Sequence, residues 1–88
     1  MDWRRMGMDT RKLVSLRIQQ LCAAHGYNIN SLARKAGIPP TTLKNIIYGN
    51  SRNPGIVTIK LACDGLGISL FDFFDTEAFK GTELEDLE

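Results

Sequence analysis

The chain has 88 residues, 43% of them hydrophobic, which allows one small domain with a modest core and is too little for two. The formal net charge of +1 conceals a division along the chain, because residues 1–60 carry a net charge of +8 and residues 61–88 carry −7. A basic half of this kind points to a polyanionic partner, although charged surface is more often simply solvated.

The composition argues against several classes of protein. Cys22 and Cys63 lie 41 positions apart and His25 is the single histidine, which is neither a zinc-ligand spacing nor a disulfide framework. We therefore expect two buried thiols in a cytoplasmic protein without metal or cofactor. No apolar run reaches the roughly 20 residues of a membrane helix, and the first residues lack the apolar segment of a signal peptide. The sequence contains no catalytic triad, metal cluster or phosphate-binding glycine loop. We therefore expect neither an enzyme nor a small-molecule substrate.

The first predicted element is an amphipathic helix. Residues 1–9 show no period and are predicted to be a flexible tail, in which Met8 is an alternative start to Met1. From Thr10 to His25 an apolar stripe recurs at helical spacing and is predicted to face the core: Val14, Ile18, Leu21 and Cys22. Gly26 then supplies the left-handed residue that ends the helix.

The next two helices are predicted to meet at a sharp turn. Asn28 is a good N-cap for a helix over 29–36, and Gly37 ends it. Proline costs little at a first helical position, so Pro40 is expected to open a helix over 40–48. Its apolar face is formed by Leu43, Ile46 and Ile47, which leaves the polar residues on the opposite face. A three-residue connection headed by glycine is typical of a helix-turn-helix.

The rest of the chain is predicted to close the core. Turn-forming residues fill 49–55, and apolar residues at helical spacing follow from Ile59 to Leu66. Ser69 and Asp72 have the spacing of a capping box, which predicts a short helix over 70–74. Residues 76–88 are predicted to be an acidic tail or a docking segment.

Residues 10–75 resemble the Cro/C1-type helix-turn-helix regulators, also called the xenobiotic response element family. The resemblance lies in NINSLARKAGIPPTTLKNIIYGNSRNP, with TIKLACDGLGISLFDFF after it. Two matches stand out: Gly37 is the turn glycine, and Leu43 and Ile46 are the apolar anchors of the next helix. The resemblance implies an all-α, five-helix, lambda-repressor-like domain that binds a double-stranded DNA operator, usually as a dimer.

The docking geometry of this family assigns roles to individual residues, since the second helix crosses the DNA backbone and the third enters the major groove. The candidates for base readout lie on the outward face of the third helix: Pro40, Thr41, Thr42, Lys44 and Asn45. The candidates for backbone contacts flank it: Asn28, Asn30, Tyr48, Asn50, Ser51 and Arg52.

Two departures from the family pattern bear on these expectations. The family often pairs an arginine late in helix 1 with a glutamate late in helix 3, and the matching positions here are Cys22 and Ile47. Because both partners are apolar, the change is expected to be close to neutral for stability. Ile29 stands where the family commonly has a glutamine that contacts the DNA backbone, so that contact is not expected.

One alternative function is compatible with the same fold. An antitoxin or phage-switch protein could use it to bind another protein, helped by the acidic C-terminal residues and by Phe71, Phe74 and Phe79. Phenylalanines near a helix end more often form core or dimer contacts. We therefore favour a DNA-binding transcription regulator, and the family resemblance implies that it acts as a repressor.

Overall fold

The computed structural model describes residues 10–49 and 53–80. This part of the chain contains five α-helices, one further helical turn and no β-strand, which confirms the predicted all-α fold. The helices are α1 (Thr10–His25), α2 (Ile29–Ala36), α3 (Pro40–Ile47), α4 (Ile56–Leu66) and α5 (Leu70–Phe74). The further helical turn covers residues 77–80. None of the helices in the described ranges has the length and apolar character needed to cross a membrane.

The helix boundaries follow from local chemistry. At the start of α2, the Asn28 side chain accepts a hydrogen bond from the backbone N–H of Ser31, and the Ser31 hydroxyl accepts one from the backbone N–H of Asn28. This reciprocal arrangement is a capping box, which extends the predicted N-cap. α3 begins at Pro40 as predicted and ends at Ile47, one residue earlier than predicted, because Tyr48 leaves the helical conformation.

The turn between α2 and α3 depends on Gly37. Its φ of 73° and ψ of 28° lie in the left-handed region, where a side chain is disfavoured. The backbone N–H of Ile38 donates to the Ala33 carbonyl over 2.9 Å, so this turn also satisfies one of the last carbonyls of α2. The Ile38 side chain is buried and ties the connection to the core.

All five helices contribute to one apolar core. The apolar residues predicted to face inward on α1 and α3 are buried, and Leu32, Leu43, Cys63 and Phe73 are fully so. Cys22 and Ile47 belong to this core, so the positions of the family's ion pair are occupied by apolar contacts. Both cysteines are free thiols, and burial raises the pKa of each. Because Leu43, Ile46 and Ile47 also belong to this core, their contacts hold the inward face of α3 in place.

The three phenylalanines considered for partner binding have different environments. The rings of Phe74 and Phe79 pack edge to face with a centroid separation of 5.0 Å, and Phe74 packs on the buried ring of Phe73 at 4.9 Å. Phe74 and Phe79 therefore pack against the core, which is one of the two roles, core or dimer contact, that the sequence analysis favoured. Phe71 points outward and is 75% exposed, which differs from a core role. The division of the chain at residue 75 stays a prediction.

Candidate nucleic-acid interface

α3 has two chemically different faces. Leu43, Ile46 and Ile47 are at most 9% exposed. The opposite face presents Pro40, Thr41, Lys44 and Asn45 to solvent, with Thr42 partly buried at its edge. This division follows from the helical period, because burying three apolar residues on one side turns the polar residues to the other. The five residues predicted to read bases therefore all reach the surface of one helix, and their roles in DNA binding stay predictions.

An open groove runs along one side of this face, between α3 and the junction of α1 with α2. It has a volume of about 550 Å³ and contains several of the predicted backbone contacts: Asn28, Asn30, Lys44 and Tyr48. An ammonium group, a phenol hydroxyl and amide groups are all hydrogen-bond donors suited to phosphate oxygens. The Asn28 side-chain oxygen already accepts from the Ser31 N–H over 2.8 Å, so only its amide nitrogen remains to donate to a ligand.

A smaller cleft of about 310 Å³ lies on the other side, between α3 and the start of α4. Thr42 and Asn45 line it together with Asn53 and Thr58. Gly55 is the N-cap of α4 and supplies no side-chain hydrogen bond to the first turn. The N–H groups of that turn and the Thr58 hydroxyl are thus donors beside the polar face of α3, where an anion would be favoured.

The surroundings of α3 include residues that the sequence did not single out. Gln19 and Tyr27 line the larger groove, and Asn53 and Thr58 line the smaller cleft. Their positions depend on how α1 and α4 cross α3, which no local pattern encodes. The predicted contacts Asn50, Ser51 and Arg52 lie outside the described residues.

Positive charge is available on the α2 and α3 side of the domain. Arg34, Lys35 and Lys44 are exposed. The acidic side chains Asp64 and Asp75 are engaged elsewhere, with Lys60 and Lys80 respectively. These two carboxylates therefore do not neutralise the cations nearest the polar face, and exposed positive charge there is what a phosphate-binding surface needs.

Comparisons with known proteins agree with this geometry. The family model described as a Cro/C1-type HTH DNA-binding domain matches residues 17–78. The solved structure of prophage Lp1 protein 11 is 34% identical with a TM-score of 0.74, and the match covers 81% of this chain and 93% of that one.

The wild-type restriction-modification controller protein C.Esp1396I is 29% identical with a TM-score of 0.69, covering 85% of this chain and 94% of that one. No curated protein matches. The family model spans most of the chain and includes the whole helix-turn-helix. The chain belongs to the family of Cro/C1-type helix-turn-helix DNA-binding domains.

Proposed function

We propose that the chain is a sequence-specific, repressor-like transcription regulator that binds a double-stranded DNA operator and reads the major groove with α3. The observation that carries this proposal is the division of α3 into a buried apolar face and an exposed polar face. The buried face holds the helix in place, so the polar side chains are presented as a rigid set. Rigid presentation is what discrimination between base pairs requires.

Each part of the surface then has a role. α2 crosses the sugar-phosphate backbone while α3 enters the major groove. Asn45 can donate to and accept from an adenine edge, and the Thr41 methyl group can pack on a thymine methyl group. Asn30 and Tyr48, in the larger groove, contact phosphates and so orient the domain without reading sequence. Lys44 lies between the two regions and can serve either role.

Two asparagine variants test this assignment with the same chemical change at two places. An operator is first selected from a random duplex pool with the wild-type protein. Asn45→Ala is expected to cost about 1 to 3 kcal/mol on that operator and to relax one base position, because it removes a base contact. Asn30→Ala is the matched control and is expected to weaken selected and random duplexes alike. Fluorescence anisotropy at several salt concentrations measures both.

Two results would contradict the proposal. If Asn45→Ala weakens every duplex equally, Asn45 does not read a base. If the wild-type protein fails to bind random duplex even at low salt, the domain is not a DNA reader, and a protein partner of the antitoxin or phage-switch type becomes the better explanation.

The proposal includes a homodimer, and α4 offers a surface for it. Ile56, Val57 and Leu61 are 58%, 70% and 37% exposed, although the opposite side of α4 is already buried in the core. A helix that is apolar on both sides normally has partners on both sides.

A charge placed on this surface tests the dimer. Val57→Asp is expected to shift the protein to monomers in sedimentation velocity and to weaken the full operator much more than a half-site. Leu16→Asp is the control, because Leu16 is a similarly exposed apolar residue, 45% exposed, on α1. Unchanged sedimentation of Val57→Asp would exclude this surface. In the dimer, half-site centres are expected roughly 34 to 36 Å apart.

A further inference from the structure

A buried hydrogen bond joins α1 to the end of α3. Ser15 is 5% exposed and is the polar residue buried in the core of the described chain. Its hydroxyl donates to the backbone carbonyl of Ile47 over 2.6 Å, across 32 positions of sequence. The Gln19 side-chain amide in turn donates to the Ser15 hydroxyl oxygen over 3.1 Å. The Gln19 amide, the Ser15 hydroxyl and the Ile47 carbonyl thus form a chain of two hydrogen bonds from the larger groove to the last residue of α3.

This bond acts at a weak point of a short helix. The last carbonyls of any α-helix have no partner within the helix. In α3 the N–H of Tyr48 donates to the Lys44 carbonyl and the N–H of Gly49 donates to the Ile46 carbonyl. The Ile47 carbonyl receives its hydrogen bond from Ser15.

The Ser15 hydrogen bond is directional, whereas the apolar contacts of α3 are not. Apolar side chains resist separation of α3 from the core, but their attraction has little directional preference. A hydrogen bond weakens steeply when its geometry changes. The Ser15 bond therefore restricts rotation and sliding of α3 along the core.

The same helix α1 holds the end of α5 by a second, separate contact. Arg17 Nε donates to the Phe73 carbonyl and Arg17 Nη2 donates to the Asp72 carbonyl, both over 2.8 Å. α5 carries none of the predicted DNA contacts. Two side chains two positions apart on α1 thus fix the C-terminal ends of two different helices, of which one presents the base-reading residues.

We propose that Ser15, supported by Gln19, is a positioning residue for base readout: it sets the orientation of α3 and thereby the discrimination between operator and random DNA. This inference rests on the proposed function. It concerns the ratio of the two affinities and not DNA binding as such, because phosphate contacts tolerate small rotations that base contacts do not.

The test compares variants on two duplexes, the operator selected by the wild-type protein and a random duplex. Ser15→Ala is expected to lower the ratio of operator to random affinity about tenfold, the scale of one base contact, with little change on random DNA. Ser15→Thr keeps the hydroxyl and is expected to restore most of the ratio. Arg17→Met is the matched control, since it removes the contact to the end of α5, and its ratio is expected to stay within about twofold of wild type.

All affinities are measured at a temperature where circular dichroism shows each variant folded. If Ser15→Ala unfolds, Ser15→Cys keeps the shape of the side chain with a weaker donor, and it is expected to give an intermediate loss. A wild-type ratio in the folded Ser15→Ala variant, or in Ser15→Cys where alanine unfolds, would overturn the inference, as would an equal loss in Arg17→Met. Failure of the wild-type protein to bind random duplex would instead overturn the proposed function itself.

Discussion

The turn between α2 and α3 and the turn between α4 and α5 have the same backbone geometry, and each is called a joint below. The two helix pairs differ in the side chains that their second helix exposes. Gly37 between α2 and α3, and Gly67 between α4 and α5, have φ values of 73° and 75° with the same ψ of 28°. The N–H of Ile68 donates to the Cys63 carbonyl over 3.0 Å, as that of Ile38 does to Ala33 over 2.9 Å. The apolar residue after each glycine is followed by one N-cap residue and then by the next helix.

The difference lies in the second helix of each pair. α3 has eight residues, begins with proline and presents polar side chains, whereas α5 has five residues, is capped by the Ser69 side chain and exposes Phe71. Leu43 and Phe73 occupy equivalent positions after their glycines, and both are fully buried. A joint of this kind therefore specifies a sharp change of direction and a core anchor. The two second helices differ in their outward residues, which are polar on α3 and include the exposed Phe71 on α5.

Truncation of the two core anchors, Phe73 and Leu43, is expected to cause the largest loss of stability. Phe73→Ala is expected to lower the free energy of unfolding by about 3 to 5 kcal/mol, and Leu43→Ala by about 2 to 5 kcal/mol, because each leaves a cavity in the core. Phe73 should cost more, since its ring also contacts those of Phe74 and Phe79 at centroid distances of 4.9 and 6.4 Å. Urea denaturation followed by circular dichroism measures both.

The exposed neighbour on α5 provides the control for this experiment. Phe71→Ala is expected to change the free energy of unfolding by less than about 0.5 kcal/mol, because surface substitutions rarely exceed this. If Phe71→Ala destabilised the chain as much as Phe73→Ala, the side chain of Phe71 would be buried in solution, for example in an oligomer.

Substitution of the two glycines is expected to cause an intermediate loss of stability that is equal at the two positions. Gly37→Ala and Gly67→Ala are each expected to cost roughly 1 to 2 kcal/mol, the penalty for a side chain in the left-handed region. A Cβ atom at either position would meet nothing within 4 Å, so steric clash adds nothing to this cost. Gly37→Asn should recover part of the loss, because asparagine tolerates this region. Thermal unfolding that separates the two alanine variants by more than about 1 kcal/mol would show that the joints are not equivalent.

Local chemistry made most of the fold predictable. The N-cap at Asn28, the proline start of α3 and the glycine turn at Gly37 are signals contained within a few residues, and each is confirmed. Of the capping box predicted at Ser69 and Asp72, the structure shows one half, in which the Ser69 hydroxyl accepts from the Asp72 N–H. The inward faces of α1 and α3 followed from the helical period. α5 is too short for a period, so the sequence did not distinguish exposed Phe71 from the packed Phe74.

The tertiary contacts around α3 could not be predicted in the same way. The Ser15 hydroxyl finds its acceptor 32 positions away, and Arg17 finds its acceptors 55 and 56 positions away. Gln19 reaches the larger groove only because α1 passes beside α3. Such contacts depend on the relative orientation of whole helices, which helical spacing and caps leave open. The candidate site was therefore predictable as an exposed face of one helix, while the residues that support this face were not, and its role in DNA binding stays a prediction.

The smallest expected effect is a difference between the two joints in how the free energy of unfolding depends on pH. The carbonyl acceptor of the first joint belongs to Ala33 and that of the second to Cys63, whose pKa is raised above its ordinary value of 9.0 by burial and by the nearby Asp64 carboxylate. The folded state therefore keeps the Cys63 proton at a pH where the unfolded chain releases it. Stability from this source is complete below about pH 9 and falls as the pH rises further.

At pH 10, one unit above the ordinary value, proton release from the unfolded chain can lower the free energy of unfolding by at most about 1.4 kcal/mol per thiol. Urea denaturation of the wild type and of Cys63→Ala at pH 8 and pH 10 isolates this contribution. The alanine variant lacks the thiol, as Ala33 does in the first joint, and should lose less stability over this interval. The Cys22 thiol titrates in both proteins and cancels in the comparison. Equal losses in the two proteins would mean that the Cys63 thiol ionises alike in the folded and unfolded chain, which would contradict the raised pKa.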